Sequence, residues 1–223
     1  MHHLIVHCYT MANEPISAII LAGGASRRLG VDKRRLRLWG EYGPTLLERT
    51  VATASDLCDE TLVVLNDPEL WPALPARLAR DAYPGAGPLG GVCTGLLACA
   101  NPFALVLACD MPFLKRELLA AMLAFPRDYD GLALRARAPR ATRNDLGLEP
   151  LHAIYSRTCL PVIREALESG ERQMSAFFPR VRVRVLERAD YAAHDPDGLA
   201  LFSLNTPEQL EQARRRIAAI SGH

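Results

Sequence analysis

The chain alternates apolar runs of strand length with segments of helical spacing. Ile16 to Leu21 is a short β-branched run that reads as a buried strand. From Pro44 to Leu57, the residues Leu46, Leu47, Val51, Ala54 and Leu57 share one helical face. Thr61 to Leu65 is the next strand, closed by Asn66-Asp67-Pro68, and Ala76 to Arg80 is a weaker one. Leu89 to Ala100 is apolar and rich in small residues, which fits a helix laid on a sheet. Phe103 to Cys109 is the most apolar run and reads as a buried strand; Pro112 to Phe125 follows as a helix with proline in its first turn. This βαβαβ order predicts a parallel sheet with helices on both faces.

Beyond Phe125 the pattern is less regular. Asp130 to Leu134 and Leu151 to Tyr155 read as strands flanking an arginine-rich loop. Ser156 to Ser169 is helical, with Pro161 in its first turn. Val181 to Leu186 alternates valine and arginine, as a strand with one wet face does. Phe202 to Asn205 reads as a short strand and Pro207 to Ile220 as a terminal helix. The expected fold class is α/β, three layers around a mostly parallel sheet. The expected organisation is a flexible extension over residues 1–15 and one domain over 16–220.

Composition narrows this picture. At 223 residues and 49% apolar, the chain has material for a substantial core. A net charge of +1 supplies no broad field for nucleic acid or an anionic membrane. No run approaches the ~20 apolar residues of a membrane span, and the N-terminus lacks the basic and apolar regions of a signal peptide. The six cysteines form no C-x-x-C pair, so they read as reduced thiols of a cytoplasmic protein. His2, His3 and His7 read as part of the tail rather than as metal ligands.

Ligands of open α/β sheets bind outside the carboxyl ends of the strands. The unusual residues sit there. AGGASRRLGVDK follows the first strand, and its glycines let backbone amides approach phosphate oxygens while Arg28 and Lys33 add charge. It is not a Walker A loop, because Val31-Asp32 stands where Lys-Ser/Thr is needed. The bland alternative is a plain turn with solvated basic residues. GAGPLG, from Gly85 to Gly90, matches a dinucleotide fingerprint literally, but no strong strand leads directly into it. It reads instead as a loop packed close to a ligand already held by the first.

Asp110 ends the most buried strand. A carboxylate there needs solvent, a cation or a metal, and beside a polyphosphate Mg²⁺ is the natural partner. The structural alternative is a cap on the helix near Pro112. Asn205 precedes the N-cap Thr206 and has a free amide, either for the site or for its own turn. Arg135, Arg137, Arg140 and Arg143 form a basic stretch that is either a solvated loop or an attractor for an anionic second substrate.

Taken in order, LAGGASRRLGVDK, GPLGG, ACDMP, EPLHAIY, ESGERQMSAFF and FSLNTPEQL resemble the molybdenum cofactor guanylyltransferases, from about Ile16 to Gln212. The resemblance implies a Rossmann-like nucleotidyltransferase fold, with a nucleotide-binding half over 16–125 and a second-substrate half over 126–220. It implies transfer of GMP from GTP to the phosphate of molybdopterin, with Mg²⁺. It places Leu21, Ala22, Gly23 and Gly24 around the nucleotide, Arg28 and Lys33 on its phosphates, and Asn66 and Asp81 at the nucleoside. Asp110 matches the magnesium-binding aspartate, and Asn205 completes the expected metal set. Leu29 stands where that family has methionine, and Glu149 where glutamine or histidine is more usual. The same fold also serves cytidylyl transfer to molybdopterin and sugar-phosphate nucleotidyl transfer, and a non-catalytic carrier would keep the glycine loop without needing Asp110. A monomer or weak oligomer that hands its product to molybdoenzyme-delivery proteins completes the expectation.

Overall fold

The computed structural model describes residues 14–23, 29–136 and 146–221. The reading of residues 1–15 as a flexible extension falls almost wholly outside them, as do Gly24, Arg28, Arg137, Arg140 and Arg143.

Seven strands form one sheet: β1 (Ile16–Leu21), β2 (Glu60–Leu65), β3 (Arg77–Arg80), β4 (Phe103–Ala108), β5 (Gly131–Arg135), β6 (Leu148–Ser156) and β7 (Val183–Leu186). Their order is β3-β2-β1-β4-β6-β5-β7. The β3-β2-β1-β4 half is parallel throughout. β6 alone is reversed, antiparallel to both β4 and β5, while β5 and β7 run parallel. The first half therefore matches the expected parallel sheet, while β6 pairs antiparallel with both of its neighbours.

Strand alternation feeds two cores. Ala18, Ile20, Val63, Leu65, Leu105 and Leu107 pack under α1 (Leu46–Ser55) and α3 (Arg116–Leu123). Ile19, Leu62, Val64, Ala104 and Val106 pack under α2 (Gly87–Ala98) and α4 (Leu160–Glu168). Helices thus cover both faces, as expected. A four-residue helix, α5 (Arg188–Tyr191), follows β7. The terminal helix α6 (Pro207–Ser221) buries Ala213 and Ile217 in a third cluster with Leu38, Leu46 and Phe113.

Three elements differ from the sequence reading. The helix expected from Ser156 starts at Leu160, because Ser156 ends β6 and Arg157–Cys159 form a 3-10 turn. The helix expected from Pro112 starts at Arg116 with Lys115 at its N-cap, because the chain first turns at residues 109–113. Residues 202–205 are not a strand; Leu204 donates one backbone bond to Asp110 and the chain then caps α6.

Candidate active site

Backbone hydrogen bonds tie the carboxyl exits of the parallel strands to one another. Ala22 N–H donates to the Val64 carbonyl at 2.8 Å, Asp81 N–H to Leu65 at 3.0 Å, and Cys109 N–H to Leu21 at 3.2 Å. Leu204 N–H donates to the Asp110 carbonyl at 2.9 Å and brings the start of α6 to the same edge. There Thr206 and Gln209 cap the helix reciprocally, and Gln209 Oε1 also accepts from Asn205 N–H at 2.7 Å. Asn205 is held outside the helix, with its Nδ2 donating to Ser203 Oγ at 2.9 Å.

These exits surround a cleft of about 570 Å³. Leu21, Gly23, Lys33, Asn66, Asp81, Asp110 and Asn205 all line it. Ala22 does not: its side chain is 1% exposed and belongs to the core beneath. Asn66 Nδ2 donates to the Gly23 carbonyl at 2.7 Å, fixing the described start of the first glycine loop against β2.

Lys33 is the centre of the cleft's chemistry. Asp32 accepts from Arg34 N–H and so opens the 3-10 turn that carries Lys33. Lys33 Nζ lies 3.1 Å from Asp110 Oδ2 and 3.0 Å from Asn205 Oδ1. Asp110 therefore faces a cation rather than capping a helix. Among the described residues no three His, Cys, Asp or Glu side chains gather as a metal cluster. The donor set is one carboxylate and one amide oxygen already converging on one positive charge. That set suits Mg²⁺, which takes few protein oxygens and fills its remaining positions from water and phosphate.

Arg34 escaped the sequence reading. Its guanidinium is 14% exposed and forks onto Asp67 at 2.5 and 2.8 Å and onto Asp32 at 2.8 Å. One arm also reaches the Ala22 carbonyl at 3.4 Å, and the group lies 5.3 Å from the centre of the Trp71 ring. These contacts clamp the loop after β1 to the end of β2. The Arg34 hydrogen bonds hold the carboxyls of Asp32 and Asp67 below the usual range. The only signal in the sequence was two aspartates bracketing arginines, with nothing to show that residues 34 and 67 meet.

The second glycine loop borders the same cleft through Gly85, Gly87 and Pro88, and α2 begins within it. It thus shares one cleft with Gly23 and Lys33. Asp81 Oδ1 accepts from Tyr83 N–H at 3.0 Å and from the Thr94 hydroxyl at 2.9 Å.

On the reversed side, β6 bulges opposite the Ala133–Leu134 step, so that Ala153 and Glu149 face adjacent residues. The bulge carries Leu151 into the cleft, and Tyr155 donates to the Pro150 carbonyl at 2.8 Å to hold it. Burial raises the Glu149 carboxyl above its ordinary range; its Oε1 accepts from Leu151 N–H at 3.1 Å. Arg135 is not in a loop. It lies on β5, paired with Glu187 at 3.0 Å and donating to the Leu146 carbonyl.

Residues 18–185 match the family model described as the MobA-like NTP transferase domain. The chain is 46% identical over 201 residues to a probable molybdenum cofactor guanylyltransferase of Chloroflexus aggregans, covering 88% of this chain and 92% of that one. It is 33% identical to a molybdenum cofactor guanylyltransferase of Desulfosudis oleivorans, covering 92% and 98%. In fold it is similar to molybdopterin-guanine dinucleotide biosynthesis protein A from Archaeoglobus fulgidus, with a TM-score of 0.76, 24% identity, and 91% and 99% of the two chains covered.

Proposed function

This chain belongs to the MobA-like NTP transferase family, and from that premise we propose that it transfers GMP from GTP to the phosphate of molybdopterin and releases pyrophosphate. The observation that carries the reading is the meeting of Asp110 and Asn205 on Lys33 at the carboxyl edge of the sheet. The names of relatives such as the Chloroflexus protein favour guanine and molybdopterin as the substrates.

A phosphate monoester is already an anion, so the attacking oxygen needs no general base. One bond forms, from that oxygen to the α-phosphorus, and one breaks, to the bridging oxygen of the departing pyrophosphate. The cost lies in bringing anions together and in charge growing on the leaving group. Lys33 answers that cost as the ammonium at the cleft's centre, and Arg28 of the same loop is its expected companion. Asp110 and Asn205 are the residues that would hold Mg²⁺, which when bound supplies positive charge to the phosphates. Gly23, Asn66 and Asp81 all line the cleft, and we assign them to the nucleotide. We place the reaction in the cytoplasm, a compartment that suits the free thiols of Cys58, Cys93, Cys99, Cys109 and Cys159.

The test is pyrophosphate release from GTP, CTP, ATP and UTP in turn, each with molybdopterin and Mg²⁺. Turnover with GTP alone is expected. Turnover with CTP alone overturns the guanylyl reading.

A further inference from the structure

Thr94 lies on α2 behind the cleft, 5% exposed. It is not a lining residue, yet its hydroxyl makes three contacts. It accepts from Ala82 N–H at 3.0 Å, and it lies 2.9 Å from Asp81 Oδ1 and 3.0 Å from the Gly90 carbonyl. A hydroxyl has one proton to give. The carboxylate is the stronger acceptor, and the bond to it is charge-assisted. With Tyr83 N–H on the same oxygen, Asp81 Oδ1 is held by two donors. Among the described residues no hydrogen bond reaches Asp81 Oδ2, so that oxygen keeps its acceptor capacity for the cleft.

Asp81 follows β3, which lies three strand spacings from β4 and Asp110. At ~4.8 Å per spacing that is about 14 Å. With the phosphates at Lys33 and Asp110, this distance reaches the base rather than the phosphates. Guanine presents two adjacent donors, N1–H and the 2-amino group, that a carboxylate accepts; adenine presents an acceptor at N1 instead.

We propose that Thr94 is a positioning residue for base selection: its buried hydroxyl locks the Asp81 carboxylate and the start of the second glycine loop in the orientation that accepts guanine's donor edge. This rests on the guanylyl reading above. Without the hydroxyl, Asp81 loses one of the two bonds that fix it, and Ala82 N–H loses its acceptor.

The test is calorimetric binding of GTP and of ITP, which lacks the 2-amino group, to the wild-type protein and to Thr94→Val and Thr94→Ser, with Mg²⁺ present. Valine keeps the shape and removes the hydroxyl; serine keeps the hydroxyl. Thr94→Val is expected to weaken GTP ~10-fold and ITP less, so that the GTP-to-ITP preference falls. Thr94→Ser is expected to retain both affinities. Equal weakening of both nucleotides, with a lowered melting temperature, marks a merely structural role and overturns the proposal. Unchanged GTP affinity in Thr94→Val overturns it as well. A wild-type protein that binds GTP and ITP alike removes base recognition at Asp81 and the proposal with it. Wild-type preference for CTP in the turnover assay overturns the guanylyl reading itself.

Discussion

Lys33 carries a charge that the Asp110 carboxylate pairs and the Asn205 amide oxygen accepts from, two oxygens from distant parts of the chain. Removing it leaves those oxygens facing each other and takes a cation from the leaving group. By the scale of a lost oxyanion donor, Lys33→Ala is expected to cost ~3 kcal/mol in the transition state, on the order of a hundredfold in kcat. Asp110→Ala is expected to abolish pyrophosphate release while leaving the melting temperature near wild type, since both partners remain partly open to water. Full turnover in Asp110→Ala would refute its role. His152 offers a different residue-scale test. It faces Leu107 across the sheet, fully buried, and among the described residues neither ring nitrogen finds a partner. Burial pushes its pKa down to about 4 from an ordinary 6.5. Between those values the unfolded chain binds the proton and the folded one does not, so stability falls as pH drops from 6.5 towards 4, by about 3 kcal/mol. Glu149 acts in the opposite sense, because its raised pKa makes stability fall as pH rises through its folded value. Comparing wild type with His152→Leu in urea at several pH values isolates the histidine. The wild-type excess loss between pH 6.5 and 4 should vanish in the variant.

At the scale of elements, α2 lies unusually close to β1. A Cβ on Gly95 would come 2.4 Å from Ile19 Cγ2, and one on Gly91 3.2 Å from Leu21 Cδ2. Alanine at 95 would gain ~1 kcal/mol of helix propensity, but overpacking against a buried strand costs ~1–3 kcal/mol. Gly95→Ala is expected to lower stability by about 1 kcal/mol in denaturant titration, and to cost less when introduced into an Ile19→Ala background. The same scale shows where sequence reading worked. Ile16–Leu21 and Phe103–Ala108 are apolar on both faces, so their burial was legible from composition alone. The glycine loop, Asn66, Asp81 and Asp110 were legible because a parallel strand order puts every strand exit on one edge. The late start of α3 was not, because Pro112 suits a turn as well as a first helical position. The reversed β6 and its bulge were not legible either: they depend on which neighbour a strand pairs with, which apolar periodicity does not encode. Arg34 with Asp67, and Thr94 with Asp81, lie 33 and 13 residues apart, and no local pattern announces such meetings.

For the molecule as a whole, the reversal of β6 shapes the cleft. The carboxyl ends of β1 to β4 meet the amino end of β6 on the same edge, and β5 arrives there from the other side. Ala136 N–H donates to the Gly147 carbonyl at 2.9 Å, which extends the β5–β6 pairing one step beyond Arg135 and Leu148. The assembled site also draws on widely separated parts of the chain. Lys33 reaches Asp110 across 77 residues and Asn205 across 172. During synthesis the nucleotide half of the sheet can gather early, but its central lysine lacks its amide partner until residue 205 has emerged from the ribosome. The Lys33–Asp110–Asn205 cluster is therefore among the last contacts the nascent chain can complete, after most of the fold that supports it has been made.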